Sequence, residues 1–156
     1  MTPGIDIIKA SGMFYQIHEY EHKSSNTAYG LEAVEKMGVA AAQVFKTLVL
    51  VNEKKENFVA ILPVTPMLSM KLAAKACASK KLEMADKSMV QRSTGYVLGG
   101  VSPLGQKKKL ITVLDSSALN YKSIFVSAGR RGLEIELDPR DLMTLTNAKT
   151  ADIIQV

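Results

Sequence analysis

Side chains that could bind a metal, hold a phosphate or attack a carbon occur in three arrangements in this sequence. His18-Glu19-Tyr20-Glu21-His22 matches the H-E-x-x-H zinc pattern letter for letter. On a helix that spacing puts both imidazoles on one face, one turn apart. Here the run continues a strand-like segment, where four residues separate the histidines by roughly 13 Å, too far for one ion. The chain has 2 histidines in all, so no third imidazole exists. Gly100 to Lys107 is similar to a phosphate loop with one extra residue before the lysine, and Pro103 removes an amide that such a loop needs. Cys77 lies in an Ala-rich segment and reads as a small buried hydrophobe. No G-x-S-x-G nucleophile elbow is present.

Three further segments carry a sharper signal. Phe45-Lys46-Thr47-Leu48 places a lysine at the entry of an otherwise apolar strand. An edge lysine can serve only to discourage sheet-to-sheet pairing. The strand that follows reads as central, however, so the ammonium is expected where a sheet opens onto a cleft. Ser93 to Gly105 contains the adjacent Gly99 and Gly100, which would let a backbone come close to a ligand or form a tight turn. Ser127-Ala128-Gly129-Arg130-Arg131-Gly132-Leu133-Glu134 joins two strands through a glycine-rich, doubly basic turn.

The elements that must position these residues follow from capping and periodicity. Thr2-Pro3 predicts a helix start and Gly12 its end. Phe14 to Tyr20 predicts a strand, and Gly30 to Gly38 a short helix. Lys46 to Val51 and Phe58 to Leu62 predict a buried hairpin around the charged turn at Asn52 to Asn57. Ser69 and Asp86 are helix caps, the second helix ending near Gly95. Tyr96-Val97-Leu98, Leu110 to Leu114 and Ile124 to Val126 read as strands, and Leu133 to Leu137 as a half-buried one. Asp138-Pro139 starts a last helix, ending near Leu145. Strands dominate the centre and do not alternate regularly with helices. The expected class is α+β with a mixed, curved sheet.

Composition narrows the function classes. The 156 residues suit one domain, 1–156, and 47% hydrophobic with 22% charged residues is an ordinary globular balance. No apolar run approaches the ~20 residues of a membrane helix, and the first residues lack the basic, then apolar, pattern of a signal peptide. One cysteine allows no internal disulfide. These features lead us to expect a cytoplasmic protein without a membrane partner. The net charge of +5 favours a polyanion such as nucleic acid, though solubility alone accounts for charges of this size.

Taken together, Phe45 to Leu48, Gly95 to Lys108 and Ser127 to Leu137 resemble the YbaK family, free-standing relatives of the prolyl-tRNA synthetase editing domain, closest to its bacterial Cys-tRNA(Pro) deacylases. The resemblance runs from Thr2-Pro3 past Asp138. It implies an α+β fold with a mixed, barrel-like sheet surrounded by short helices. It implies an editing enzyme that removes cysteine from Cys-tRNA(Pro), and from Cys-tRNA(Cys) in some members, in trans and in transient contact with prolyl-tRNA synthetase. Lys46 takes the position of the family's key lysine. Tyr20, Tyr29, Thr47, Gly99, Gly100, Val101, Ser102, Ser127, Gly129 and Glu134 take substrate-binding positions, with Glu134 standing where other members have the shorter aspartate. Lys107, Lys108, Lys109, Arg130 and Arg131 are the basic residues expected to carry the tRNA acceptor end.

The resemblance also implies no metal, no cofactor and no covalent enzyme intermediate. An aminoacyl ester is already activated, so positioning and electrostatics can suffice. The implied attack comes from the cysteine thiol of the substrate on its own carbonyl, which releases the tRNA 3′ end and a thiolactone, formally a lyase step. Lys46 would hold the terminal adenosine or its phosphate, and amides of the Gly99–Val101 loop would polarise the carbonyl. The rivals are an Ala-tRNA(Pro) deacylase of the same fold using water, a non-catalytic RNA-binding adaptor, and a metalloprotease built on His18 to His22.

Overall fold

A computed structural model describes residues 1–23 and 29–156, and of Tyr29 the backbone alone. The first helix, α1 (Pro3–Ser11), forms as its cap requires. The Thr2 hydroxyl accepts the Ile5 N–H, proline sits in the first turn, and Gly12 closes the helix. After β1 (Tyr15–Glu19) and α2 (Tyr29–Met37) come β2 (Phe45–Asn52) and β3 (Asn57–Pro63), an antiparallel hairpin. Next are α3 (Met70–Ala76), β4 (Leu82–Met84), α4 (Lys87–Thr94) and β5 (Ile111–Asp115). The chain closes with β6 (Ile124–Arg130), β7 (Leu133–Leu137), α5 (Pro139–Thr146) and β8 (Lys149–Ala151).

The α+β class is as expected, and the strands are mixed, but they do not form one closed sheet. A three-stranded antiparallel sheet runs β1-β7-β6, and a five-stranded sheet runs β4-β2-β3-β5-β8 with β3-β5 and β5-β8 parallel. Among the described residues one isolated bridge, Val44 to Phe125, links the two. Facing side chains of both sheets build the main core: Val59, Ile61 and Leu114 meet Ile124, Val126 and Ile135, and Ile5, Ile8 and Leu142 close the ends. The other face of the larger sheet packs Leu50, Ala60, Leu62 and Val113 against Ala73 and Ala74 of α3 and its C-cap Cys77. With both faces covered, β2 and β3 are apolar almost without interruption.

Several expectations are corrected. Tyr96-Val97-Leu98 is not a strand. Gly95 (φ 81°) and Gly99 (φ 93°) are left-handed at its two ends, so the segment turns before a ladder can form. β4 and β8 are strands that the sequence does not announce, because each is 3 residues long, too short to show a period. β7 is buried on both faces rather than half-buried, and Glu134 is 7% exposed.

The segment between α4 and β5 is a closed loop. The Lys107 and Lys108 N–H groups donate to the Thr94 and Ser93 carbonyls (2.9 and 3.0 Å), so its base is tied to the last turn of α4. Inside, the buried Tyr96 hydroxyl donates to the Leu104 carbonyl at 2.6 Å. Tyr96→Phe leaves that buried carbonyl without its partner and is expected to cost about 1–2 kcal/mol, measured as a lower urea midpoint at unchanged m-value. An unchanged midpoint would mean that the loop is not held from inside.

Candidate functional site

A cleft of about 360 Å³ opens where the start of β2, the β6–β7 hairpin, the loop after α4 and helix α2 meet. Gly30 lets α2 approach closely, since a Cβ there would lie 2.4 Å from the Val64 Cγ1. The small-to-tight fit places α2 as one wall, with Leu31 and Leu98 half-exposed at the mouth.

Lys46 is the second residue of β2, and its side chain lines the cleft. Its Nζ donates to the Val64 and Pro66 carbonyls at 3.2 and 3.0 Å. Burial holds its pKa below the usual lysine value. An ammonium has three N–H donors, and the third meets no protein acceptor among the described residues. The stem is thus packed and the charge is fixed at the wall, with one donor left for a ligand. Beside it, Thr47 carries a buried hydroxyl with no hydrogen-bond partner among the described residues, a group that costs free energy unless a ligand satisfies it.

Register explains the opposite wall. Glu134 of β7 pairs with His18 of β1 and Ser127 of β6, so residues of this parity share one face. Tyr20, just beyond β1, joins Glu134 and Ser127 in the cleft, its N–H bonded to the Gly132 carbonyl at 2.9 Å. Burial pushes the Glu134 carboxyl up to about 8. Burial, then the neighbouring Glu134 charge, push the Tyr20 phenol to about 12. Both are therefore predominantly protonated at neutral pH. Ser127 precedes a β-bulge that spans to Arg130, and its Oγ accepts the Gly129 N–H. Gly129 (φ 121°) forms that bulge against Tyr96, whose ring leaves no room for a Cβ.

The glycine loop divides in two. Gly99 and Val101 line the cleft, and their N–H groups have no protein acceptor among the described residues. The Gly100 N–H is already donated to the Val97 carbonyl at 3.0 Å. A Cβ on Gly100 would sit 2.9 Å from the Arg130 Cα. Its close approach is therefore to the hairpin, not to a ligand, and its amide is not offered to a substrate. Ser102 is fully buried and accepts the Leu104 N–H, so it braces the loop instead of lining the cleft. The substrate-binding expectation for Tyr29 rests on a side chain outside the described residues.

The basic residues separate likewise. Lys107, Lys108 and Lys109 are exposed outside the cleft, and Arg130 is exposed at its edge, paired with Glu19 at 3.0 Å. Arg131 is not on a solvated face. Its guanidinium reaches buried Glu32 of α2 at 3.3 Å and the Lys23 carbonyl at 3.0 Å, tying α2 to the hairpin. Glu32 also accepts the Lys23 N–H. Sequence reasoning missed Glu32 because a buried carboxylate in a short amphipathic helix looks like any solvated one. His18 is held by Glu136 at 2.8 Å with its ring edge on Phe125, and does not line the cleft. Cys77 is buried under the larger sheet, where burial keeps its thiol above the usual pKa.

Residues 24–145 match the aminoacyl-tRNA editing domain family. EbsC of Enterococcus faecalis, named as a candidate Cys-tRNA(Pro)/Cys-tRNA(Cys) deacylase, is 42% identical over 136 residues, 86% of this chain and 83% of that protein. YwhH of Bacillus subtilis, an uncharacterised protein, is 25% identical over 133 residues, 85% of this chain and 82% of its own. Among solved structures, one described as a candidate trans-editing enzyme for prolyl-tRNA synthetase superposes with a TM-score of 0.84 at 25% identity, covering 100% of this chain and 99% of its own. No described helix is long and apolar enough to cross a membrane. The chain belongs to the aminoacyl-tRNA editing domain family.

Proposed function

We propose that this protein is a trans-editing aminoacyl-tRNA deacylase that clears cysteine from Cys-tRNA(Pro), acting in the cytoplasm beside prolyl-tRNA synthetase. The observation that carries this reading is that the fixed Lys46 ammonium lines the same cleft of about 360 Å³ as Gly99 and Val101, whose amides have no protein acceptor among the described residues. Lys46 supplies a positive charge for the terminal nucleotide, and the amides supply an oxyanion site for the ester carbonyl. The described lining residues offer no nucleophile paired with a base. The Ser127 Oγ accepts a backbone amide, and neither Cys77 nor His18 lines the cleft. This supports attack by the substrate itself. The cysteine sulfur forms a bond to its own carbonyl carbon, the ester C–O bond breaks, and the departing 3′-oxygen takes up a proton.

The test is single-turnover deacylation of Cys-tRNA(Pro), Ala-tRNA(Pro) and Cys-tRNA(Cys) side by side, with a Ser-tRNA control. If the substrate thiol is the nucleophile, Ser-tRNA is expected to react at least ~30-fold more slowly, because a thiol is already a few per cent ionised at neutral pH and a hydroxyl is not. Cys77→Ala is expected to remain active. Equal rates on serine and cysteine esters would rule out thiol-assisted cyclisation. Preference for Ala-tRNA(Pro) would point to a water nucleophile, and silence on every ester would leave an RNA-binding adaptor.

A further inference from the structure

A second concavity lies beside α4, at the base of the loop that lines the cleft. It is bounded by Lys87, Ser88, Gln91 and Arg92 of α4, by Gly95, and by Lys107. The four α4 residues sit at helical spacing that brings them to one face, while Val90, Ser93 and Thr94 turn inward. Three cations, a hydroxyl and an amide line this groove, and no carboxylate does. The nearest acid on α4, Asp86, is engaged as its cap, accepting the Met89 N–H at 2.7 Å. Lys87, Arg92 and Lys107 are exposed, with no ion pair to an acidic side chain among the described residues. Arg92 uses its Nε on the Ser88 carbonyl at 3.4 Å, and its terminal nitrogens meet no protein acceptor among the described residues.

Groove and cleft are lined by different parts of one loop. Gly95 belongs to the groove and Gly99 to the cleft, and four residues span at most ~14 Å. The loop between them cannot shift freely, because Lys107 and Lys108 tie its base to α4 and Tyr96 fills its interior. We propose that this groove holds the phosphodiester backbone of the tRNA acceptor arm, and that the loop from Gly95 to Lys107 sets the distance from those phosphates to the cleft. The inference rests on the deacylase reading and adds Lys87 and Arg92 to the RNA-contacting residues. Phosphate contacts carry no sequence information but fix register. The groove therefore positions the 3′ end of any tRNA, and the cleft chooses the amino acid.

The test compares Lys87→Glu/Arg92→Glu and the milder Lys87→Gln/Arg92→Gln with Lys71→Glu/Lys75→Glu on α3, which changes net charge equally at another face. Binding of uncharged tRNA(Pro) is read by fluorescence anisotropy against salt, and deacylation is read on Cys-tRNA(Pro) and on a 3′-cysteinyl ester of adenosine too short to reach the groove. Both groove variants are expected to weaken tRNA binding, by ~10-fold for the glutamates. The log–log salt slope should shrink by roughly 1.4 to 1.8, the share of two phosphates. Rates on the short ester should stay at the wild-type value. Groove variants that bind tRNA like the α3 control, or that lose activity on the short ester as well, would overturn the proposal. Groove-dependent tRNA binding by a wild-type protein that deacylates nothing would sink the deacylase reading and leave the groove standing.

Discussion

Lys46→Ala is expected to lower kcat/KM for Cys-tRNA(Pro) deacylation by at least ~100-fold, about 2.7 kcal/mol of transition-state stabilisation. The size follows from how the ammonium is held. Two backbone carbonyls fix Nζ at the cleft wall, so its charge is in place before substrate arrives, and no step of the reaction has to reorganise it. Half-burial removes the water that would screen that charge at a surface. Lys46→Arg should rescue poorly. The Val64 and Pro66 carbonyls bracket a compact ammonium, and the bulkier planar guanidinium would displace one of them or enter the substrate volume. Loss of the two carbonyl bonds costs some stability, so circular dichroism melts accompany single-turnover rates for each variant. A folded Lys46→Ala protein with near wild-type rates would remove Lys46 from the mechanism.

The same lysine shows what a sequence makes legible. A charge at the entry of an apolar strand is a local anomaly, visible without coordinates, and it marked the cleft. The caps Thr2, Ser69, Asp86 and Asp138 and the β2–β3 hairpin were equally local and equally readable. What failed to show was pairing at a distance. The division into two sheets depends on which strands β5 and β8 join in parallel, and no turn between neighbours encodes that. Gly99 and Gly100 look alike in sequence, yet one opens to the cleft and the other packs on the Arg130 backbone. Arg130 and Arg131 look alike too, but the strand turn sends one to solvent and the other onto Glu32, over 90 residues away. The groove beside α4 went unread because Lys87 and Arg92 have the spacing of any solvated helix face. Their meaning comes from Lys107, which the closed loop returns to them.

Glu134 carries the other large expected effect, on stability against pH. Its carboxyl lies in a strand that is buried on both faces, 7% exposed, with no cation bonded to it among the described residues. Burial disfavours the charged form and raises its pKa from 4.5 to about 8 in the folded chain, while the unfolded chain keeps the ordinary value. Below the unfolded value both states hold the proton and the group is neutral to folding. Between the two values the folded state binds more protons than the unfolded one, so stability falls as pH rises. Each pH unit in that window withdraws about 1.4 kcal/mol, so the wild-type protein should give up as much as ~4 kcal/mol from this group between pH 5 and pH 8. Glu134→Gln keeps the shape and removes the titration. The variant is expected to match wild type near pH 5 and to exceed it increasingly up to pH 8. Urea unfolding of both proteins at half-unit steps from pH 5 to pH 9 reads the difference, which cancels every titrating group the two share. Parallel stability curves would show that the Glu134 carboxylate is stabilised in the fold, by water or by a neighbour, and that the cleft is wetter than its lining suggests.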